Sequence, residues 1–519
     1  MPRVVALLLS LLPFALVAQG APCRAEAVPF NGAGAVWQRY ARLTSGHPAD
    51  TDPALRTTIA CLTSRDTTRG VSIRWILPEF LTVVAGGVPD SRGDGALWAG
   101  RGVSFLLRGG LTADYGPVHL VAAPELWRAA NRPYDILPAR DPHRSDFASP
   151  FYDGSNSLDL PSRMGIDPLL ELTLGQSALW YGAANVEVGL SASNLWWGPG
   201  VRDGLLFGPG AAGVPRLFVR TARPVRTPIG YFGAELFLGT LTESRWFDDS
   251  TANDRRALSA GALTWSPSRD GALMLGLARA VQRVVPRDSS ITVRAFDFLR
   301  PVSDARGDRM LSMFGRLTLP RAGMRAFFEL ATSRPAGRLR DWLTIPGEEM
   351  AYQFGVEKVI RHPNAQWLLH AEAMNLDQGI QVREQAPHDF YTGYGTPHGW
   401  TQRGQLLGAG VGPGGQSQWL SADRLSGRWT IGLYGERVRW NNEALLRQYL
   451  ATYYRHDVTL RTGIRGALQT AIAGRPYDVA LDVSWGKRLN YLFQNTTYID
   501  YRTVDVTVPQ LRLTLSPRQ

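Results

Sequence analysis

The 519 residues are enough for roughly two to four ordinary domains or for one large barrel, and Lys and Arg outnumber Asp and Glu 56 to 45, a formal charge of +11. Beyond the N-terminal segment no run approaches the ~20 consecutive apolar residues that a spanning helix needs. A bundle of membrane helices is thereby excluded, and a membrane location requires a closed sheet, which pairs every backbone polar group between strands and needs only alternate residues to be apolar.

The chain opens as a secretory leader. Arg3 supplies a short positive region, Val4 to Val17 is apolar, and small residues follow at Ala18, Gly20 and Ala21, so residues 1–21 are expected to be removed. Pro22 stands directly before Cys23, where lipid attachment would need a small residue. In an oxidising periplasm Cys23 and Cys61 are candidates for a disulfide. The alternatives are that both stay free or that Cys23 leaves with the leader. Nucleic acid is the wrong partner for an exported chain. The positive charge suits acidic polysaccharide or lipopolysaccharide, or else a lumen and rims lined with basic groups.

Two short helices are predicted over residues 22–68. Val36, Trp37, Tyr40 and Leu43 recur at helical spacing before Gly46. A second helix is expected from Asp52, with Pro53 at its first position, through Leu55, Ile59 and Leu62. From residue 69 to the C-terminus the period is two. Tyr477, Val479, Leu481, Val483 and Trp485 alternate with Asp478, Ala480, Asp482 and Ser484, a strand oily on one face and carboxylate-bearing on the other. Short turns at Pro267–Asp270, Pro320–Ala322, His362–Asn364, Leu425–Gly427 and Ala473–Pro476 alternate with long polar connections at about 281–309, 334–350, 376–415, 439–455 and 488–499. That alternation marks an outer-membrane barrel, short turns at the periplasmic rim and long loops outside. Strands fall near 71, 101, 115, 168, 183, 214, 229, 258, 271, 310, 323, 351, 365, 416, 428, 457, 477 and 503. The fold class is all-β transmembrane, an antiparallel barrel of about eighteen strands, with both chain ends and the helical hairpin at the periplasmic mouth. The last strand changes phase at Pro509, from Val504, Val506 and Val508 to Leu511, Leu513 and Leu515, so a bulge is expected there.

The clearest local signature is Asn194-Leu195-Trp196-Trp197-Gly198-Pro199-Gly200, then Asp203, Gly204 and Leu205, in a connection that faces outside. Adjacent indoles before a Gly-Pro-Gly turn make a stiff aromatic surface that stacks on sugar rings, or alternatively fill the barrel mouth or the interfacial belt. With Ser193 before it, and with Leu205-Leu206-Phe207, Pro215 to Arg220, Thr227 to Gly230 and the stretch from Leu238-Gly239 to Ser244-Arg245 after it, this block resembles the Wzi-type capsule assembly proteins. Looser similarity continues at Phe296 to Phe298, Phe328-Glu329 and His388 to Gly415. The resemblance implies an outer-membrane barrel of about eighteen strands with a small periplasmic helical bundle. It also implies a lectin-like, non-catalytic role in attaching or organising capsular polysaccharide, and no catalytic residues carry over.

No nucleophile elbow, zinc-binding helix pair or phosphate-cradling loop occurs. His388-Asp389 with His398 reads as a solvated loop, and Glu171, Glu187, Glu357, Asp478, Asp482, Arg461 and Arg465 read as ion pairs of the lumen wall. No enzyme activity, cofactor or metal is expected. The candidate carbohydrate-binding groups are Trp196, Trp197, Trp246, Tyr391, Tyr394 and Trp400 for stacking, with Arg202 and Arg245 among the bases that meet acidic sugars. Expected partners are surface polysaccharide, outer-membrane lipid with lipopolysaccharide, and the barrel-insertion machinery. The rival expectation is a porin or transporter for sugars or other small solutes, since eighteen strands enclose room for a pore.

Overall fold

A computed structural model of the protein describes residues 33–45, 54–57, 70–285, 297–299, 307–333, 350–377, 389–393, 395–448, 455–494 and 503–518. They close an antiparallel barrel of eighteen strands. The first strand, Ser72–Ala85, zips to the last, Gln510–Pro517, from Phe80 opposite Leu515 to Ala85 opposite Gln510. Closure of this kind leaves no sheet edge exposed. Among the described residues no helix is long and apolar enough to cross a membrane; the strands do the crossing.

The interruptions of the wall have a chemical cause. Of the four breaks in the described wall strands, three fall at a proline, between Ala122 and Glu125 at Pro124, between Thr221 and Val225 at Pro224 and between Thr507 and Gln510 at Pro509, and the fourth, between Thr173 and Ala178, lies opposite the break at Pro124. Proline cannot donate to the ladder. Pro78 accompanies a register shift between Ile76 and Glu79 in the first strand. At Pro509 the ladder is interrupted but its register is not, Thr507 opposite Lys487 and Gln510 opposite Ser484 keeping one count. The expected bulge is corrected, because Val508 faces the lumen and Leu511 the outside without any change of phase.

The short connections, at 116–117, 184–185, 228–229, 267–272, 320–323, 363–364, 427–428 and 473–474, all lie at one end of the barrel. Two are two-residue turns with both central residues at positive φ, Ala184 with Asn185 and Ala473 with Gly474, the backbone that matches strand twist. The first strand starts and the last ends on this rim, which is therefore the periplasmic one.

Helix Ala35–Ser45 sits inside that mouth. Its Val36 and Leu43 pack on Val359, Leu368 and Leu425 of the inner wall, and Arg39 Nε donates to Glu357 at 2.5 Å. The second predicted helix is corrected at Leu55, while Asp52, Pro53, Ile59 and Leu62 lie outside the described residues. Leu55–Thr57 is a strand that has entered the lumen and pairs antiparallel with Leu195–Trp197. Pairing with a buried backbone segment outweighs the weak local helix preference of this stretch. The proposed leader 1–21 and both Cys23 and Cys61 lie outside the described residues.

Candidate functional site

The described parts of the outer loops turn back into the barrel. At the centre lies the Trp-Trp-Gly-Pro-Gly segment. Trp196 and Trp197 are 1% and 0% exposed. The Arg56 guanidinium lies 4.4 Å over the Trp196 ring and donates to the carbonyls of Gly198 at 2.7 Å and Gly200 at 2.8 Å. Glycine is required at both positions. Gly198 has φ of 106°, and a Cβ there would meet a Glu329 carboxylate oxygen at 2.7 Å; at Gly200 it would meet the Asp203 carbonyl at 2.1 Å.

Two wall carboxylates clamp the segment. Glu329 accepts from Leu205 N–H at 3.1 Å and Ser312 Oγ at 2.7 Å. Glu372 accepts the backbone N–H groups of Val201 at 3.2 Å and Arg202 at 3.1 Å, with Gln353 Nε2 at 2.5 Å and His370 Nε2 at 3.0 Å on the same carboxylate. Buried acceptors that meet buried donors in this way make a loop as rigid as a strand.

Residues 389–393 and 395–415 lock onto this segment from above. Tyr391 Oη donates to the Leu205 carbonyl at 2.5 Å and accepts from Ala409 N–H at 2.9 Å. Trp400 Nε1 donates to the Leu206 carbonyl at 2.8 Å. Phe207 stands edge-on to Trp197, centroids 5.1 Å apart, and lies 5.8 Å from Trp400. Asp203 accepts N–H groups from Gly204 and Gly410, yet burial lifts its carboxyl to about 7. Nearer the outer end, the loop after Thr242 pairs Glu243 with His398, 2.5 Å between Oε2 and Nε2. Burial, with Asp248, Asp159 and Asp254 nearby, raises Glu243 to about 9. Burial, with Arg256 and Arg144, lowers His398 to about 2. At neutral pH both groups are uncharged.

The sequence candidates therefore separate. Trp196, Trp197, Tyr391 and Trp400 are all buried, so the reading of Trp196 and Trp197 as an open stacking surface is corrected: they fill the mouth, because a Gly-Pro-Gly turn lets the backbone double back into the lumen. Arg245 is exposed and Trp246 half-buried in the loop 243–254, the Trp246 indole nitrogen lying over Gly165 of the loop 130–168. Arg202 is one-third exposed and stacks 3.8 Å from the Trp419 ring. Tyr394 lies outside the described residues. The expected wall ion pairs are present: Arg403 with Glu171, Arg220 with Glu187, Arg325 and Arg39 with Glu357, Arg461 with Asp90, Arg465 with Asp423, and Arg518 with Asp478. Asp482 instead accepts from Tyr434 Oη at 2.7 Å. The clamps Glu329 and Glu372 were not foreseen; their signal was a carboxylate on the inward phase of a strand, shared with many residues that merely pair with arginine.

No family model matches the sequence, and no curated protein matches it. Solved structures do. Wzi of Escherichia coli, described as an outer-membrane protein involved in group 1 capsule assembly and a carbohydrate-binding β-barrel, superimposes with a TM-score of 0.55 at 11% identity, over 86% of this chain and 85% of that one. OccK2 of Pseudomonas aeruginosa gives 0.41 at 12% identity, over 86% and 96%. A BenF-like porin from Pseudomonas fluorescens Pf-5 gives 0.40 at 10% identity, over 86% and 97%. At such identities a likeness establishes fold alone. Sealed register, oily exterior and shared architecture make this chain an outer-membrane β-barrel protein.

Proposed function

We propose that this barrel binds surface polysaccharide, capsular or related, and organises or attaches it at the cell surface without catalysing a reaction on it. One observation carries the reading: the described parts of the outer loops are folded inward and cross-bonded into an aromatic plug, which suits a rigid receptor surface better than a conduit. The description of the Escherichia coli Wzi barrel as carbohydrate-binding supports the same ligand class here. The four buried aromatics then act as the frame, and Arg245 and Trp246 as groups that meet the glycan, guanidinium on uronate or phosphate and indole on a sugar face. Outer-membrane lipid and lipopolysaccharide surround the wall, and insertion falls to the barrel-assembly machinery.

Purified protein titrated with the native polysaccharide should bind it, and the double variant Arg245→Ala, Trp246→Ala should weaken binding about tenfold, equivalent to ~1.4 kcal/mol. In planar bilayers the protein should pass no steady current. A steady ion current together with indifference to the glycan would replace this reading with the porin one.

A further inference from the structure

Between helix Ala35–Ser45 below and the inward loops above lies a cavity of about 120 Å³. Its lining is lopsided in charge. Six arginines face it, Arg39, Arg92, Arg202, Arg461, Arg465 and Arg512, against the carboxylates Asp90 and Asp482. The acids that balance the rest, Glu436, Asp423, Asp94 and Glu357, stand behind the guanidiniums with side chains 3% exposed or less. A solute entering the cavity meets cations first.

Five of the six arginines are spoken for. Arg92 holds Asp90 at 2.6 Å and Glu436 at 2.9 Å, and Arg461 holds Asp90 at 2.7 Å. Arg465 grips Asp423 with two donors at 2.7 and 2.6 Å. Arg512 pairs with Asp94 and Arg39 with Glu357. Arg202 differs: its nearest carboxylate, Glu436, is 3.8 Å away, beyond hydrogen-bond reach. Its guanidinium carbon lies 3.8 Å over the centre of the Trp419 ring, and Trp419 in turn stacks on Tyr434 with centroids 4.4 Å apart. A guanidinium held by its face presents its N–H edge, the geometry that receives a carboxylate or phosphate through two parallel bonds. Its backbone N–H is held by Glu372 and its side chain lines the cavity. His370, whose side chain is fully buried, also lines the cavity, and its Nδ1 has no hydrogen-bond partner among the described residues.

We propose that this lumenal cavity is a binding site for the oxyanion group of a small solute, a carboxylate or a phosphate, received edge-on by Arg202 inside a wall of paired arginines. Both faces of Trp419 are already covered, by Arg202 and by Tyr434, so recognition rests on charge and fork geometry, and a neutral sugar finds no stacking surface. The site is separate from the outer surface assigned to polysaccharide and does not depend on that assignment.

Calorimetric titration of the purified full-length barrel in detergent with sodium glucuronate, inorganic phosphate and glucose tests this. Glucuronate or phosphate should bind and glucose should not; the tighter anion identifies whether a uronate or a phosphate group is the natural source. Arg202→Gln should weaken anion binding at least tenfold. Should that variant fail to fold, Arg202→Lys keeps the charge and loses the fork, and should still bind more weakly than wild type. Absence of binding by either anion, equal binding of glucose, or unchanged affinity in both variants would overturn the proposal.

Discussion

Two rows of side chains, one residue apart along the same strands, are specified in different ways. Outward, Leu433, Ile464, Val483 and Leu511 stand side by side across four strands and are all exposed to the surroundings of the barrel. Inward, the adjacent row runs Asp423, Gly432, Arg465, Asp482, Arg512. On the outward row any apolar side chain of fitting size will serve, since lipid makes no directional demand. On the inward row each member depends on its neighbour. A Cβ at Gly432 would lie 2.1 Å from the Asp423 carboxylate that Arg465 grips, so even the glycine is dictated by the ion pair beside it. The oily face is a composition; the wet face is a set of partnerships.

Breaking a partnership should cost most. Glu357, fully buried, is shared by Arg325 of the wall and Arg39 of the mouth helix. Glu357→Leu strands both guanidiniums and should cost about 3–5 kcal/mol, read as a lowered urea midpoint in lipid vesicles. The same change should free the helix, and trypsin should then cut at Arg39 and Arg42. An unchanged midpoint with a protected helix would mean that the inner row is as tolerant as the outer. Next comes the lipid face. Ile464→Arg should cost about 2–4 kcal/mol, whereas Ile464→Leu should cost less than about 1.5 kcal/mol. Equal penalties for the two substitutions would show that shape, and not polarity, governs the outer row.

The same division decides what the sequence could reveal. The wall was legible because lipid and lumen impose a two-residue period and because turns need Gly, Pro, Asn or Asp. The bulge expected at Pro509 was a misreading, since valines that face the lumen look like a change of phase while the register runs on. The plug was not. Its order comes from contacts such as Glu329 with Leu205 N–H and Tyr391 with the Leu205 carbonyl, between residues far apart in the chain and with no period to betray them. Trp196 and Trp197 stood out as special with their surroundings left open between a sugar-stacking surface and a filled mouth, because an aromatic pair beside a Gly-Pro-Gly turn looks alike whether it faces solvent or doubles back into the lumen. The strand Leu55–Thr57 was hidden for a related reason: three residues carry too little pattern, and only the partner Leu195–Trp197 makes them a strand. Arg202 was picked for its charge; that it would be held over the Trp419 ring was not readable.

The smallest effect is confined to the outer loops and depends on pH. Glu243 keeps its proton in the folded loops up to about 9, against an ordinary value of 4.5, while His398 refuses one down to about 2, against 6.5. Above pH 6.5 the unfolded loop ionises its glutamate freely and the folded loop does not, so loop stability falls as pH rises from 6.5 toward 9. Below pH 4.5 the unfolded histidine takes a proton that the folded one declines, so stability falls again as pH drops toward 2. Between 4.5 and 6.5 the two contributions oppose each other, and a plateau is expected. His398→Gln should abolish the acid limb that this pair adds and leave the alkaline one, which Glu243→Gln should remove instead. Thermal melting of the loops, followed by near-ultraviolet circular dichroism of the buried tryptophans, separates the limbs when each variant's profile is subtracted from that of the wild type. If His398→Gln flattened the alkaline limb, or if the midpoint rose between pH 6.5 and 9, the two groups would not be the neutral, hydrogen-bonded couple that distinguishes the loops from the ion-paired wall.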